Sequence, residues 1–163
     1  MAANVLIRPA RPGDAEALGR LGAMLVRAHH EFDRRRFLAP GDGIEEGYAR
    51  FLGNQLEDPD VVILVAALDG NVVGYVYAGL EPRSWKELRD VAGFVHDVAV
   101  DVSARGQGIA ARLVEAAADW LEQRGAPRVM LWTAERNDAG QRLFDRLGFR
   151  RTMIEMTREP KGS

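Results

Sequence analysis

The stretch Val98-Ala99-Val100-Asp101-Val102-Ser103-Ala104-Arg105-Gly106-Gln107-Gly108-Ile109-Ala110-Ala111 decides how this chain is read. Its alternating valines close a strand and Arg105 to Gly108 break it. Ile109, Leu113, Ala116, Trp120 and Leu121 then keep the spacing of one helix face. A strand that enters a helix through two glycines suits an anion. The N–H groups of the helix's first turn have no intrahelical acceptor, and glycine lets the main chain come close to a ligand. Arg105 places a permanent cation beside the turn, which makes a diphosphate the natural guest.

Working outward, Phe94 to Val102 reads as the strand before this turn, and Gly125 and Pro127 end the helix after it. Val129 to Thr133 is the next strand, Ala139 to Leu147 a short helix stopped by Gly148, and Phe149 to Thr157 a last strand. Upstream, Asn4 to Arg8 is a first strand. Leu18, Leu21, Leu25 and Phe32 stripe one helix, and Ile44, Tyr48, Phe51, Leu52 and Leu56 a second. Val61 to Leu68 is apolar on both alternating faces, so it fits a strand covered on both sides. Asp69-Gly70 turns it into an antiparallel return, Val72 to Ala78. A strand, helix, strand crossover makes the fourth and fifth strands parallel, while hairpins keep the rest antiparallel. The expected class is α+β with a mixed, mostly antiparallel sheet flanked by helices.

Three uses compete for the glycine turn. Gly106 and Gly108 serve as a tight connection and nothing more, or Gly106-x-Gly108-x-x-Ala111 is a loose dinucleotide fingerprint with Glu135 as ribose partner. That fingerprint normally opens a run of parallel βα units, whereas this one follows a hairpin; no Lys-Ser or Lys-Thr follows it, as a nucleoside triphosphate loop requires. The third use rests on the whole downstream half. Val98-x-Val100, Arg105-x-x-Gly108-x-Ala110, a helix, a strand, and Asn137-x-x-Gly140-x-x-Leu143-Phe144-x-x-Leu147-Gly148-Phe149 together resemble the GNAT acetyltransferase superfamily, from about Phe94 to Phe149.

The resemblance implies a GNAT fold whose strands four and five splay apart. It implies that acetyl-coenzyme A is the cosubstrate, its pyrophosphate held by Arg105, Gly106, Gln107, Gly108, Ile109 and Ala110. The pantetheine arm would lie in the gap against the main chain of Val98, Ala99 and Val100, with Asn137 and Phe144 beside the thioester. Asn137 serves equally as the cap of the short helix. The implied reaction is direct acetyl transfer to a primary amine of a small molecule or peptide, with no metal. Phe144 departs from the family pattern, because many relatives carry there a tyrosine that protonates the departing sulfur. Tyr48, Tyr75, Tyr77 or water are the candidate replacements. Without one, the alternative is a weakly active or non-catalytic acyl-coenzyme A binding domain with a sensor or regulatory role.

An alkyl amine with a pKa of about 10.4 is almost wholly protonated at neutral pH, so a base or a proton path to water is needed. His96 is the first candidate, since imidazole titrates near neutrality, with Asp97 beside it. Strict alternation places His96 on the face of Val98 and Asp97 on the other. The resemblance implies that the acceptor enters between the first two helices and the loop between strands three and four, where Arg34, Arg35, Arg36, Tyr48, Arg83, Trp85 and Lys86 fall. The arginine run reads as a solvated helix face or as a contact for an acidic acceptor. His29 and His30 are adjacent and point apart, so they form no metal pair. Trp120 and Trp132 read as core.

Composition agrees with one ordinary domain. The chain has 163 residues, of which 47% are apolar and 28% charged, without repeats, and 1–163 reads as a single domain ending in a flexible tail from Pro160 to Ser163. A net charge of −2 argues against nucleic-acid partners. Zero cysteines exclude disulfides, thiolate metal sites and cysteine nucleophiles. No apolar run is long enough to cross a membrane, and Met1 to Ala10 holds no secretory apolar region, so a cytoplasmic location is expected. The resemblance also makes a second copy of the chain a candidate partner through the last strand, as in some relatives.

Overall fold

The computed structural model describes residues 4–163; Met1 to Ala3, where the reading of the chain's start begins, lie outside it. A five-stranded sheet runs in the order β1 (Val5–Pro9), β2 (Val61–Leu68), β3 (Asn71–Glu81), β4 (Ala92–Val100) and β5 (Val129–Leu131). The first three pairings are antiparallel, and β4 with β5 is parallel. The expected fold class is therefore what the structure has. The β2–β3 turn is the Asp-Gly hairpin, with both Asp69 and Gly70 at positive φ, the backbone that a tight primed turn needs.

Helices cover the sheet on both sides. The helix α1 (Ala15–Phe32) and the helix α2 (Ile44–Gly53) pack on one face, where Leu18, Leu21, Leu52, Ile63, Val65, Tyr75 and Ala99 form a buried cluster. The helix α3 (Ile109–Gln123) packs on the other with Ile109, Leu113, Ala117 and Leu121 against Val76, Val95 and Val100. Each fully buried leucine in these layers is worth about 1.5–3 kcal/mol of apolar transfer. The last helix, α4 (Asp138–Arg146), fully buries only Phe144. No helix among the described residues is long and apolar enough to cross a membrane.

Three expectations fail, each for a physical reason. The segment Phe149 to Thr157 forms no strand, because a strand needs a partner and residues 150–159 make no main-chain hydrogen bond among the described residues. Trp132 is not core: it lies 69% exposed just beyond β5, its ring edge-on to Phe94 at 5.3 Å between centroids. Strict alternation along β4 also fails. The β3–β4 register shifts between Tyr77 and Ala78, pairing Tyr77 with Asp97 but Ala78 with Val95, so His96 is an extra residue in a β-bulge. His96 and Asp97 consequently share the α1–α2 face, and Val98 lies with Val95 and Val100 on the α3 face.

Candidate active site

The opened edge of β4 comes first. Its pairing with β5 covers only Gly93 to Val95, and β4 then runs on to Val100 paired with β3 alone. Gly93 N–H donates to Arg128 O on the β5 side, whereas Asp101 N–H donates to Val73 O on β3. Counting back by twos from Asp101, Ala99 and Asp97 face β3, so the main-chain groups of Val98 and Val100 face the gap. Ala99 does not; its side chain is buried under α1. The carbonyl of Val100 is met by Arg105 Nε at 3.1 Å, so the Arg105 side chain lies back along the strand end and not over the turn.

The strand end is pinned. Asp101 accepts from Ser103 N–H at 3.0 Å and from the Arg20 guanidinium of α1 at 2.6 Å, and these bonds hold its carboxyl below the usual range, the Ser103 amide first. Beyond it, Gly106 and Gly108 have φ of +77° and +72°. A Cβ on either would touch nothing within 4 Å, so backbone handedness, and not crowding, calls for glycine here. Gly108 is the N-cap residue of α3, and the first i to i−4 bond of the helix is Arg112 N–H to Gly108 O. Gly106, Gln107 and Gly108 therefore join Ile109 and Ala110 in presenting N–H groups that meet no acceptor among the described residues. Residues 105–108 are exposed. A row of free donors at a helix N-terminus, with two residues at positive φ, is the arrangement that favours an anion, called here the nest.

On the α1–α2 face beside the bulge lies a polar group in an aromatic surround. Asp97 Oδ2 accepts from the hydroxyls of Tyr48 and Tyr75, the latter at 3.0 Å, while Oδ1 has no partner among the described residues. Tyr48 reaches it because α1 carries glycine at position 22, where a Cβ would overlap the Tyr48 ring. Burial, then the Asp97 charge, pushes both tyrosine hydroxyls far above their ordinary range. Burial also raises the Asp97 carboxyl, against the two hydroxyls that lower it. His96 lies between the rings of Tyr77 and Phe94, at 4.8 and 5.0 Å, and its Nε2 is 2.9 Å from Glu81 Oε1. Glutamate accepts here, so Nε2 carries a hydrogen toward it, and in the neutral ring Nδ1 would then hold the lone pair.

Of the residues singled out from the sequence, the structure brings His96 and Asp97 together on one face, and sets Val98 and Val100 on the open edge leading into the nest. Asn137 caps α4, its Oδ1 accepting from Gly140 N–H at 3.0 Å. Phe144 is buried edge-on to Phe149. Tyr48 and Tyr75, considered as donors for a departing sulfur, have their hydroxyls directed to Asp97. Glu81 was missed, because its contact with His96 depends on the β3–β4 register, which pairs Gly79 with Phe94 and Glu81 with Ala92; a carboxylate at the end of β3 was the sole cue.

The mixed sheet that opens after Val95, beside the glycine turn, is the arrangement that the GNAT resemblance implies, and comparison with known proteins shows the family. The model of the acetyltransferase (GNAT) family matches residues 25–149. The uncharacterized N-acetyltransferase YhfO of Bacillus subtilis is 30% identical over 145 residues, 88% of each chain. The chain belongs to the GNAT acetyltransferase family. It is also 33% identical over 94 residues to a mycothiol acetyltransferase of Thermomonospora curvata, 58% of this chain but only 29% of that protein. Among solved structures, BH1408 from Bacillus halodurans superimposes with a TM-score of 0.80 at 20% identity, over 95% of this chain and 99% of that one. The aminoglycoside N-acetyltransferase AAC(6')-Iy, in complex with CoA, gives 0.76 at 18% identity, over 99% and 97%. At these identities the likeness is one of fold.

Proposed function

We propose that this protein transfers an acetyl group from acetyl-coenzyme A directly to a primary amine. The observation that carries this reading is the continuity of the opened β4 edge, from the bulge at His96 through Val98 to the row of free N–H groups at Gly106–Gly108. An extended amide-bearing arm that ends in a diphosphate matches both parts of that surface. AAC(6')-Iy, with the same fold, was crystallised with CoA, which supports the choice of ligand.

The cosubstrate would supply an activated acyl thioester. Val98 would hold the arm through its main-chain N–H and C=O, and the Gly106–Ile109 amides would neutralise the phosphates. Val100 N–H would join them, with its carbonyl freed only if Arg105 turns toward the diphosphate. On the other side, the unpartnered Asp97 Oδ1 would receive the acceptor's ammonium, while Tyr48 and Tyr75 fix the carboxylate. His96 Nδ1 would take the proton, with Glu81 orienting the ring. The amine nitrogen bonds to the acyl carbon as the carbon–sulfur bond breaks, the sulfur leaves with the electron pair, and the nitrogen's second proton passes to solvent water to give the neutral amide. No tyrosine hydroxyl stands at position 144 to protonate it, so a thiolate of pKa about 8.5 leaves unaided.

Phe144 is also the observation that favours the second reading, an acyl-coenzyme A binder of little turnover. Free thiol release from acetyl-coenzyme A with a panel of amines separates the two. The chain has no cysteine, so a thiol reagent reports only the product. An enzyme releases thiol in step with acetylated amine, whereas a binder is thermally stabilised by the cosubstrate and releases none. Neither release nor stabilisation refutes both.

A further inference from the structure

Beside the bulge the α1–α2 face carries aromatic rings that packing leaves partly open. Phe51 of α2 meets Tyr77 of β3 at 5.8 Å between centroids, their planes 82° apart. Tyr77 continues into His96 at 4.8 Å, with the planes only 33° apart. The rings make a corner, with Tyr77 and His96 as floor and Phe51 standing up from it as a wall. Along α2 the next residue, Leu52, takes the fully buried position, which leaves Phe51 at the rim, 44% exposed, over a half-buried Tyr77. Three carboxylates surround the floor: burial, then the charges of Asp97, Glu81 and Asp58, raises the Tyr77 hydroxyl. Glu81 is engaged with His96 Nε2 at 2.9 Å, and Asp58 with Asp60 N–H at 2.9 Å. What the corner leaves unpartnered is Asp97 Oδ1 and the open ring surface next to it.

We propose that the acceptor is an arylalkyl primary amine without a carboxylate, its nitrogen at Asp97 and its ring seated in the Phe51–Tyr77 corner. The inference rests on the proposed acetyl transfer and names the class of its acceptor. A ring on this floor lies offset over Tyr77 and meets Phe51 edge to face, the two arrangements that ring quadrupoles favour at centroid distances of about 4.5–7 Å. Tyr77 and Asp97 are directly opposed across β3 and β4. Their β-carbons therefore stand about 5 Å apart, a gap that a short alkyl chain between nitrogen and ring spans. A free aromatic amino acid is disfavoured, since its own carboxylate would face Asp58, Glu81 and Asp97. The far end of an aliphatic diamine meets ring surface and carboxylates that are already engaged, so it gains less than an aryl group does.

The test offers the full chain phenethylamine, butylamine, cadaverine and phenylalanine with acetyl-coenzyme A and follows thiol release, while calorimetry reads phenethylamine binding in the presence of coenzyme A. Phenethylamine is expected to exceed butylamine and cadaverine in kcat/KM by about 20-fold or more, and phenylalanine by about 100-fold. Phe51→Leu keeps apolar bulk at the rim but removes the ring. It should cut the preference over butylamine about fivefold through KM, with butylamine turnover and the coenzyme A Kd unchanged. Trp132→Ala, at the other end of the ring row beyond Phe94, should leave the preference intact. If no amine releases thiol, yet phenethylamine binds and Phe51→Leu weakens it about fivefold, acetyl transfer is refuted and the ligand class stands. Butylamine or cadaverine used as well as phenethylamine, a preference that ignores Phe51→Leu or is lost in Trp132→Ala, or phenethylamine neither turned over nor bound, overturns the inference.

Discussion

Replacing Gly108 by alanine probes the anion nest. Gly108 sits at φ +72°, and a β-carbon there meets no atom within 4 Å, so the protein itself is not crowded by the change. The cost inside the fold is left-handed backbone strain, about 1–2 kcal/mol for a non-glycine residue, or a few degrees of melting temperature at this size. The cost to binding is separate. The new methyl group enters open space, and if relief of the backbone strain turns the 107–108 peptide aside, at least one hydrogen bond to the proposed phosphate is lost, worth about 1.5–3 kcal/mol. The Kd for coenzyme A should therefore rise about tenfold or more. Gly125 supplies the control: it has φ +83°, is equally open, and lies past the far end of α3, about 22 Å away along 15 helical residues. Gly125→Ala should lose the same stability and keep the wild-type Kd. Calorimetric titration with coenzyme A, alongside thermal melts of both variants, reads the two costs apart. Equal affinity in Gly108→Ala and Gly125→Ala would refute the nest as the phosphate site.

Three further outcomes follow, two from the polar group beside the bulge and one from Phe144. Burial raises the folded-state pKa of Asp97 above its unfolded value of about 3.9, so its contribution is fully present below that value and lost as pH rises through the folded pKa. Asp97→Asn, which keeps an acceptor for Tyr48 and Tyr75, should melt higher than wild type at pH 7, by an amount that vanishes near pH 4, while transfer slows by about 100-fold; a lower melting point at pH 7 would contradict the assigned cause. His96→Gln should cost about tenfold or more in kcat/KM at pH 8 and abolish the acidic limb of the pH–rate profile; an unaltered limb assigns the base elsewhere. Phe144→Tyr should raise kcat by up to about tenfold if proton delivery to the departing sulfur limits turnover, measured as initial thiol release, and no gain shows that another step does.

Much of this layout was legible because it depends on local chemistry. Asp69-Gly70 announces a hairpin, and Val61 to Leu68 marks β2 residue for residue. Gly106 and Gly108 mark a turn whose positive φ values no other residue adopts cheaply. What escaped depends on neighbours. The segment after Phe149 has the side chains of a strand, but pairing is decided by a partner edge that no local pattern describes. Trp132 has the composition of core and the position of a rim. The Glu81–His96 contact and the sharing of Asp97 by Tyr48 and Tyr75 require β2, β3, β4 and α2 to be in register first. A bulge carries no residue signature of its own, so the phase of β4 after Val95 was read one step wrong.

That single extra residue makes the two halves of the site compatible. Val95 faces α3, and with unbroken alternation Asp97 and Ala99 would face α3 too, burying a carboxylate among Val76, Ile109 and Leu113. An unpaired charge there costs several kcal/mol, so the fold would not carry it. Inserting His96 as a bulge reverses the phase. The valines at 98 and 100 turn to the apolar α3 layer, Asp97 turns to the tyrosines under α1 and α2, and His96 is left on the same face with Glu81 in reach. The main chain changes phase at the same point, so Val98 directs its N–H and C=O at the gap just where β5, last paired at Val95 with Leu131, leaves the strand. The proposed acceptor chemistry on one face and the proposed donor binding along the edge thus both rest on one irregularity, and a variant that restored regular pairing at position 96 should lose both together.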